Sequence, residues 1–372
     1  MSGGGVDCSI LVPVLNEERF IEPMVAAMRA QRYDGELEFV FADGGSTDRT
    51  REILGEMARQ DPRIRVFDNP RRTVSSGLNV ALREARGTWA ARMDGHTVYP
   101  PEYVAEGIAR LQRGDSNWIS GPQRARGHNP VSRAIELALE SPLGRGGSRK
   151  WAPPTPPTHP TRADDTPGEE FDLDTGVFGG VWQRETLLAY GGWDERWDKN
   201  EDSELAARFL RRGERLICLP SMSADYAPRD TVRGLWRQYR DYGRFRALTA
   251  RHHPASMRRS HLIAPALVLD AVLALSPGRL GTLARAGVGA YGIALAAAAV
   301  QAARRTDRRG DAALVPVVLA TMHGAHGVGE LIGAAHYGPP WAALARAANL
   351  SRAPEGRAPD DTAVFSPSLS AS

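Results

Sequence analysis

Trp89-Ala90-Ala91-Arg92-Met93-Asp94-Gly95-His96-Thr97 is the stretch on which the fold turns. It has the texture of a short buried strand that stops on a carboxylate, with a turn-forming glycine after it. Side chains two apart on an extended chain share a face, so Asp94 and His96 project together from a strand end. A carboxylate oxygen and an imidazole nitrogen at that spacing can clamp a divalent cation, and Mn²⁺ and Mg²⁺ accept such ligands. The plainer alternative is an Asp-Gly turn with His96 as a loop residue.

The flanking segments support the strand-end reading. Ser9-Ile10-Leu11-Val12-Pro13-Val14-Leu15 is a continuous apolar run of the kind buried on both faces of a parallel sheet, and Asn16-Glu17-Glu18 follow it. A helical pattern runs from about residue 19 to 30. Residues 37–42 predict a second strand ending on Asp43-Gly44-Gly45-Ser46-Thr47-Asp48. Ser46 or Thr47 is placed to cap a helix carrying Thr50 to Arg59. Residues 64–67 predict a third strand, leading into Asp68-Asn69-Pro70-Arg71-Arg72. A helix opening near Ser75 and closing near Gly87 makes Trp89 the start of the fourth. Strand–helix alternation with polar strand ends predicts a doubly wound, mostly parallel α/β sheet, with its ligand in the crevice at those ends. Asn16, Glu17, Asp43, Arg71 and Asp94 all fall on that rim.

A chain of 372 residues has room for two domains. Cys8 and Cys218 lie far apart and match no metal or redox spacing, which suits a reducing compartment. The net charge is +3, with arginines clustered near 237–259 and 304–309. Such clusters suit phosphate-bearing small molecules or anionic lipid, and with no nucleic-acid-binding motif present, no nucleic-acid partner is expected. Met1-Ser2-Gly3-Gly4-Gly5 has no basic region leading into an apolar core, so no signal peptide is expected. No Gly-x-Gly-x-x-Gly follows the first strand, and no Walker-type Gly-Lys-Ser/Thr occurs. Instead Asp43 can accept the imide N–H of a uracil ring or bond a ribose hydroxyl. The phosphates then need a cation, which Asp94 and His96 can hold.

Residues 10–18 (Ile-Leu-Val-Pro-Val-Leu-Asn-Glu-Glu), 43–48 (Asp-Gly-Gly-Ser-Thr-Asp) and Gly77-Leu78-Asn79, in that order, resemble the nucleotide-binding half of family 2 glycosyltransferases, which have the GT-A fold. The resemblance runs to about residue 250. It is strongest to the succinoglycan-biosynthesis branch, bacterial enzymes of exopolysaccharide assembly. It implies that Pro13, Asn16 and Glu17 line the nucleotide, that Asp43 meets the base, that Arg71 lies near the nucleotide and that Asp94 serves the metal and diphosphate. The usual metal motif of the family is Asp-x-Asp. Here the third position is His96, which brings no negative charge and either ligates the cation or only orients a phosphate. The resemblance further implies inverting hexosyl transfer from a nucleotide-sugar, UDP-linked, to a lipid-linked or polysaccharide acceptor.

From about 144 to 172 the chain is rich in Pro, Gly, Ser and Thr, and Trp151 to Pro160 can form neither a helix nor a central strand. A surface loop is expected there, as a lid near the acceptor or as a spacer. Gly179-Gly180 would let backbone approach a ligand closely, at the diphosphate or acceptor. Gly191-Gly192-Trp193-Asp194-Glu195-Arg196 follows, then Asn200-Glu201-Asp202-Ser203-Glu204, which reads as a helix start with acids in its first turn. By the resemblance Glu201-Asp202 carries the catalytic base, Asp202. An inverting transfer needs a carboxylate that takes the acceptor hydroxyl's proton as that oxygen attacks C1. Residues 235–246 form an Arg- and aromatic-rich helix. Its Gln238-Tyr239-Arg240-Asp241-Tyr242-Gly243-Arg244 is similar to the branch's Gln-Tyr-x-x-Tyr-Gly-Arg, which implies Gln238 and Arg244 near the diphosphate.

Apolar runs at 262–275, 286–303 and 312–329 approach the ~18–20 residues that cross a bilayer. Ala and Gly dominate two of them and insert weakly. Arg258-Arg259 and Arg304, Arg305, Arg308 and Arg309 flank them on what would be the catalytic side. The expected organisation is a GT-A domain over 1–250, a hydrophobic helical region over 251–340 and a polar, disordered tail over 341–372. The expected location is the cytoplasmic face of the cell membrane, integral through the C-terminal helices. Two other readings compete. One is a non-catalytic nucleotide-sugar-binding subunit of a polysaccharide assembly complex. The other is a nucleotidyltransferase using the same metal rim.

Overall fold

The computed structural model describes residues 5–95, 97–146, 148, 169–177 and 179–349. His96, nearly all of the Pro-rich segment and the polar tail beyond 349 lie outside the described residues. The elements in chain order are β1 (Cys8–Val14), α1 (Ile21–Arg29), β2 (Leu37–Asp43), α2 (Thr50–Gln60), β3 (Ile64–Asp68), α3 (Val74–Glu84), β4 (Trp89–Arg92), β5 (Thr97–Val98), α4 (Tyr103–Leu111) and β6 (Trp118–Ser120). Next come β7 (Gln123–Ala125), α5 (Pro130–Leu139), α6 (Pro142–Arg145), β8 (Phe171–Leu173), β9 (Gly180–Gln183), α7 (Arg184–Ala189), α8 (Glu201–Arg211), β10 (Leu216–Cys218) and β11 (Ala224–Tyr226). The rest is helical: α9 (Val232–His252), α10 (Ile263–Leu273), α11 (Gly278–Ala303), α12 (Arg309–Tyr337) and α13 (Trp341–Ala347).

These elements form two compact units, one of residues up to 122 and 166–224, the other of 123–165 and 225–352, so α9 belongs with the C-terminal helices. In the first unit an eight-stranded sheet runs in the order β3-β2-β1-β4-β9-β6-β10-β8. β3, β2, β1 and β4 are mutually parallel, as are β6 and β10, whereas β9 and β8 run antiparallel to their neighbours. The sheet is therefore mixed and mostly parallel. Alternate residues of each central strand enter opposite cores. Ile10, Val12, Phe39 and Phe41 pack on one face, and Leu11, Val40 and Ala42 on the other, all fully buried. Each large apolar side chain buried in this way contributes about 1.5–3 kcal/mol, which is why continuous apolar runs became central strands. Register brings the strand ends level, with Val14 opposite Asp43 and Asp43 opposite Asp68, so the residues that follow gather along one edge.

The second unit is packed around α12. Asp311 at its start pairs with Arg133 of α5 at 2.6 Å. Val315, Val318, Leu319 and Met322 join Ala134, Ile135 and Leu139 of α5 and Leu235 of α9 in a separate core. Further along, Gly329 and Gly333 lie against the carbonyls of Arg240 and Arg244, leaving no room for a Cβ between α12 and α9. α10 and α11 are different. Leu269, Val272, Leu275, Leu280, Leu283 and Ile293 are exposed, Leu275 by 86%. α11 and α12 are each long and apolar enough to cross a membrane by length and composition, but half of α12's apolar stretch is covered inside the unit.

Candidate functional site

The rim is built from two loops that hold each other. Asn16 sits in the left-handed region, with φ 57°. Its backbone N–H donates to Ser46 Oγ at 2.9 Å, and its Oδ1 accepts from the Thr47 N–H at 2.8 Å. The Glu17 and Glu18 N–H groups donate to Thr50 Oγ1 (2.7 Å) and Asp48 Oδ2 (3.1 Å). Asp43 is buried, takes the Ser46 hydroxyl at 2.6 Å and has Arg51 at 3.6 Å. The expectation that Ser46 or Thr47 caps α2 is corrected here. The N-cap is Arg49, whose own side chain makes no capping bond and whose N–H donates to Glu18 Oε2 at 3.1 Å, because Ser46 and Thr47 are drawn across to Asp43 and Asn16. Asp48 Oδ1 receives the Thr50 N–H instead, at 3.0 Å. Pro13 lies in β1 against α3, where a Cβ on Gly77 would sit 3.0 Å from its ring.

Arg71 leaves the end of β3 and donates to Glu195 at 2.6 Å. Buried Asn79 holds the same segment from α3. Its Nδ2 donates to the Trp193 carbonyl at 2.7 Å and to Glu195 at 3.1 Å, while its Oδ1 accepts the Trp193 N–H at 2.9 Å. The Gly-Leu-Asn and Gly-Gly-Trp-Asp-Glu motifs are thus two halves of one contact. Within α8 a buried Glu204–Arg208 pair at 2.8 Å orients Arg208, which donates to the Gly192 carbonyl at 2.7 Å and so ties the helix to that segment.

At the centre lies Arg92, the last residue of β4, only 4% exposed. Its Nε and Nη2 donate to the two oxygens of Asp94 at 2.8 and 2.9 Å, and Nη1 donates to Glu201 Oε1 at 3.0 Å. Burial alone would lower the Arg92 pKa, but Asp94 and Glu201 outweigh it and hold the guanidinium more firmly charged than usual. Burial pushes the Glu201 carboxyl up, against the pull of Arg92. The Asp94 N–H donates to the buried Tyr99 hydroxyl at 2.9 Å. Arg92 faces Gly180 across the β4–β9 pair, and Gly179 and Gly180 have φ of 78° and 147°. A Cβ on Gly180 would meet the Trp118 indole nitrogen at 2.5 Å, so only glycine lets β9 close on this strand end.

Asp202 follows Glu201 in the first turn of α8 and remains half-buried, with its Oδ1 accepting the Ser203 N–H at 2.8 Å. Glu201 is only 7% exposed and engaged by Arg92, so of the two Asp202 is the one open to an acceptor. Asp94 is the partly exposed carboxylate at this strand end. A carboxylate has about four lone-pair directions, and Arg92 takes two of them. The Glu17 carboxylate lies close by, 3.8 Å from where a Gly95 Cβ would stand. No three His, Cys, Asp or Glu converge among the described residues. That is the protein share expected where one or two carboxylates join substrate phosphates around Mg²⁺ or Mn²⁺, and the residues fit it. Gln238 bonds the Tyr242 hydroxyl at 3.0 Å, and the Arg244 guanidinium lies 5.4 Å from the Tyr337 ring centre, both within the second unit.

A family model described as glycosyl transferase family 2 matches residues 9–163. The succinoglycan biosynthesis protein ExoA of Rhizobium meliloti is 32% identical over 248 residues, 66% of this chain and 71% of that protein. The uncharacterized glycosyltransferase EpsJ of Bacillus subtilis is 36% identical over 87 residues, 23% of this chain and 25% of that one. Among solved structures, the mannosyltransferase PcManGT from Pyrobaculum calidifontis, determined with GDP-Man and Mn²⁺, superposes with a TM-score of 0.53. The two are 21% identical, with 87% of this chain and 86% of that chain covered. The mixed sheet is thus of the GT-A type.

Proposed function

The chain belongs to glycosyl transferase family 2, and from that premise we propose that it is an inverting hexosyltransferase. It moves a sugar from a nucleotide-sugar, UDP-linked, to a lipid-linked or polysaccharide acceptor in exopolysaccharide synthesis. The observation that carries this reading is the link from Asp94 through Arg92 to Glu201, with half-buried Asp202 next in the chain. A donor-side carboxylate is joined by one guanidinium to Glu201, the neighbour of the acid open to an acceptor.

Asp202 takes the proton of the acceptor hydroxyl as that oxygen attacks C1 of the sugar from the face opposite the leaving group. The C1–O bond to the nucleoside diphosphate breaks, and the configuration at C1 inverts. A divalent cation held by Asp94, with His96 beside it, would supply positive charge to the departing diphosphate. Asp43 receives the base, while Pro13, Asn16 and Glu17 frame the nucleoside and Arg71 approaches its phosphates. Gly179 and Gly180 leave space for sugar or diphosphate beside Arg92, and Gln238 and Arg244 are assigned to the diphosphate and acceptor. The domain organisation proposed with this is a GT-A domain over 1–250, functionally including α9 although α9 packs with the helices that follow, then helices to 340 and a tail beyond.

The protein works at the cytoplasmic face of the membrane. The exposed leucines of α10 and α11 support this, and Arg304, Arg305, Arg308 and Arg309 form an exposed basic collar after α11. Nucleoside diphosphate release from the full-length protein, measured with UDP- and GDP-sugar donors and membrane extract, tests the reading. Turnover with at least one donor supports it. Tight nucleotide binding without turnover by any donor would favour the non-catalytic subunit instead.

A further inference from the structure

We propose that Arg92 is a positioning residue for the transfer, holding the donor-side carboxylate Asp94 and the base-bearing start of α8 in one register. The inference rests on the transferase reading and goes further by giving a task to a residue that touches neither reactant. Three distances carry it. Arg92 grips both oxygens of Asp94 at 2.8 and 2.9 Å and reaches Glu201 at 3.0 Å, across 109 residues of sequence.

The geometry of the guanidinium matters. It is planar and its donors diverge at fixed angles, so the two carboxylates cannot rotate independently while both are bound. Asp94 lies on the strand-end side and Glu201 on the first turn of α8, so Arg92 fixes one element against the other. Asp202 is carried on the same turn as Glu201. A displacement of about 1 Å between an attacking group and its target can cost about a hundredfold in rate. The surroundings are rigid enough to transmit the constraint. Tyr99 holds the Asp94 N–H, and Gly180 closes on Arg92 across β9. A bare ion pair is a weaker account. A buried guanidinium shared by buried Glu201 and partly exposed Asp94 is costly to desolvate, a cost that apolar side chains would avoid.

The test uses the full-length protein and the variants Arg92→Lys, Arg92→Met and Arg92→Met with Glu201→Gln. The double variant removes both buried charges, so folding can recover even where Arg92→Met alone unfolds. Three quantities are read: thermal stability, kcat and KM for the donor, and calorimetric binding of UDP with Mn²⁺. The expected result for both Met variants is a kcat about 100-fold down, with donor KM and UDP–Mn²⁺ affinity within about threefold of wild type or tighter, because a neutralising charge has left Asp94. The Lys variant should recover about tenfold of the lost kcat, since it keeps the charge but loses the two-point grip. Arg92 is only structural if the double variant regains wild-type kcat along with its stability, or if kcat and UDP affinity fall together with the folded fraction. Either outcome overturns the proposal alone. A wild-type protein that neither binds nor cleaves any nucleotide-sugar overturns the transferase reading and this proposal with it.

Discussion

In the first unit Arg92 is 4% exposed and shared by two carboxylates, while in the second Leu275 is 86% exposed. The first unit turns charge inward and satisfies it over long sequence distances. The hairpin of α10 and α11 satisfies its charge over short distances and leaves its arginines exposed. Asp270 lies against Gly287, where a Cβ would stand 2.5 Å from the carboxylate. Arg285 donates to the carbonyls of Ala274 and Ser276 at 2.9 and 3.2 Å. Arg279 and Arg285 stand exposed beside leucine, isoleucine and valine. Buried charge in the first unit is kept for geometry, because apolar side chains would fill the same space at lower desolvation cost. In the hairpin, apolar side chains dominate a surface that water does not suit.

Substitutions sharpen that contrast, beginning with the rim. Asp202→Asn should lower kcat about 1,000-fold with the fold intact by circular dichroism, which sets the scale for a base. Asp94→Asn should lower kcat/KM about 100-fold and flatten the Mn²⁺ dependence of donor turnover, because the described rim's cation-facing carboxylate is gone. In the second unit the expected losses are of stability or of lipid binding rather than of chemistry. Gly329→Ala forces a methyl against the Arg240 carbonyl and should cost about 1–3 kcal/mol, read as faster hydrogen exchange in α9 and α12. Leu275→Glu with Leu280→Glu should weaken binding to anionic phospholipid vesicles about tenfold and leave thermal stability within about 0.5 kcal/mol. If vesicle binding does not change, the exposed leucines are not the lipid-facing surface.

The smallest effect is a pH effect in the first unit. Hydrogen bonds from Arg63, then Arg29, hold the Asp61 carboxyl down at about 2, against burial that would raise it. Its folded value lies below the unfolded value near 4, so the pairing stabilises the fold above about pH 4 and is lost as pH falls toward 2. Asp61→Asn should cost about 1 kcal/mol at pH 7 and remove that part of the acid dependence in denaturant titrations.

The same contrast explains what could be read in advance. Strands β1 and β2 are legible as apolar runs because both faces of each are covered, whereas the edge strand β3 leaves Arg65, Val66 and Phe67 partly exposed, and Asp43 and Asp94 are legible because they end strands. The role of Arg92 could have been found from its two-residue spacing to Asp94, which puts both on one face. Its partner Glu201 could not, nor could Glu195 for Arg71, because nothing local marks a pairing across 109 or 124 residues. The existence of α10 to α12 was plain from their apolar runs. Which of them would be covered was not, because helices of Ala and Gly are apolar all round and show no preferred face. The fit of Gly329 and Gly333 under α9, with the core α12 shares with α5, distinguishes α12 from α11.

The position of β9 has a further consequence, for the order in which the chain can assemble. This strand lies between β4 and β6, yet it is made of residues 180–183. During synthesis β1 to β4 emerge early and can pair in parallel, but the free side of β4 must wait for roughly ninety more residues at about 5–20 per second. For those seconds Arg92 has no Glu201 to meet, and an open strand edge faces solvent. β9 then joins β4 to β6 and α8 follows, and β10 adds to β6 and pairs with β8, completing the sheet last. Chaperone demand should therefore peak before β10 has left the ribosome, and a nascent chain stalled short of β9 should aggregate where one stalled beyond β10 does not.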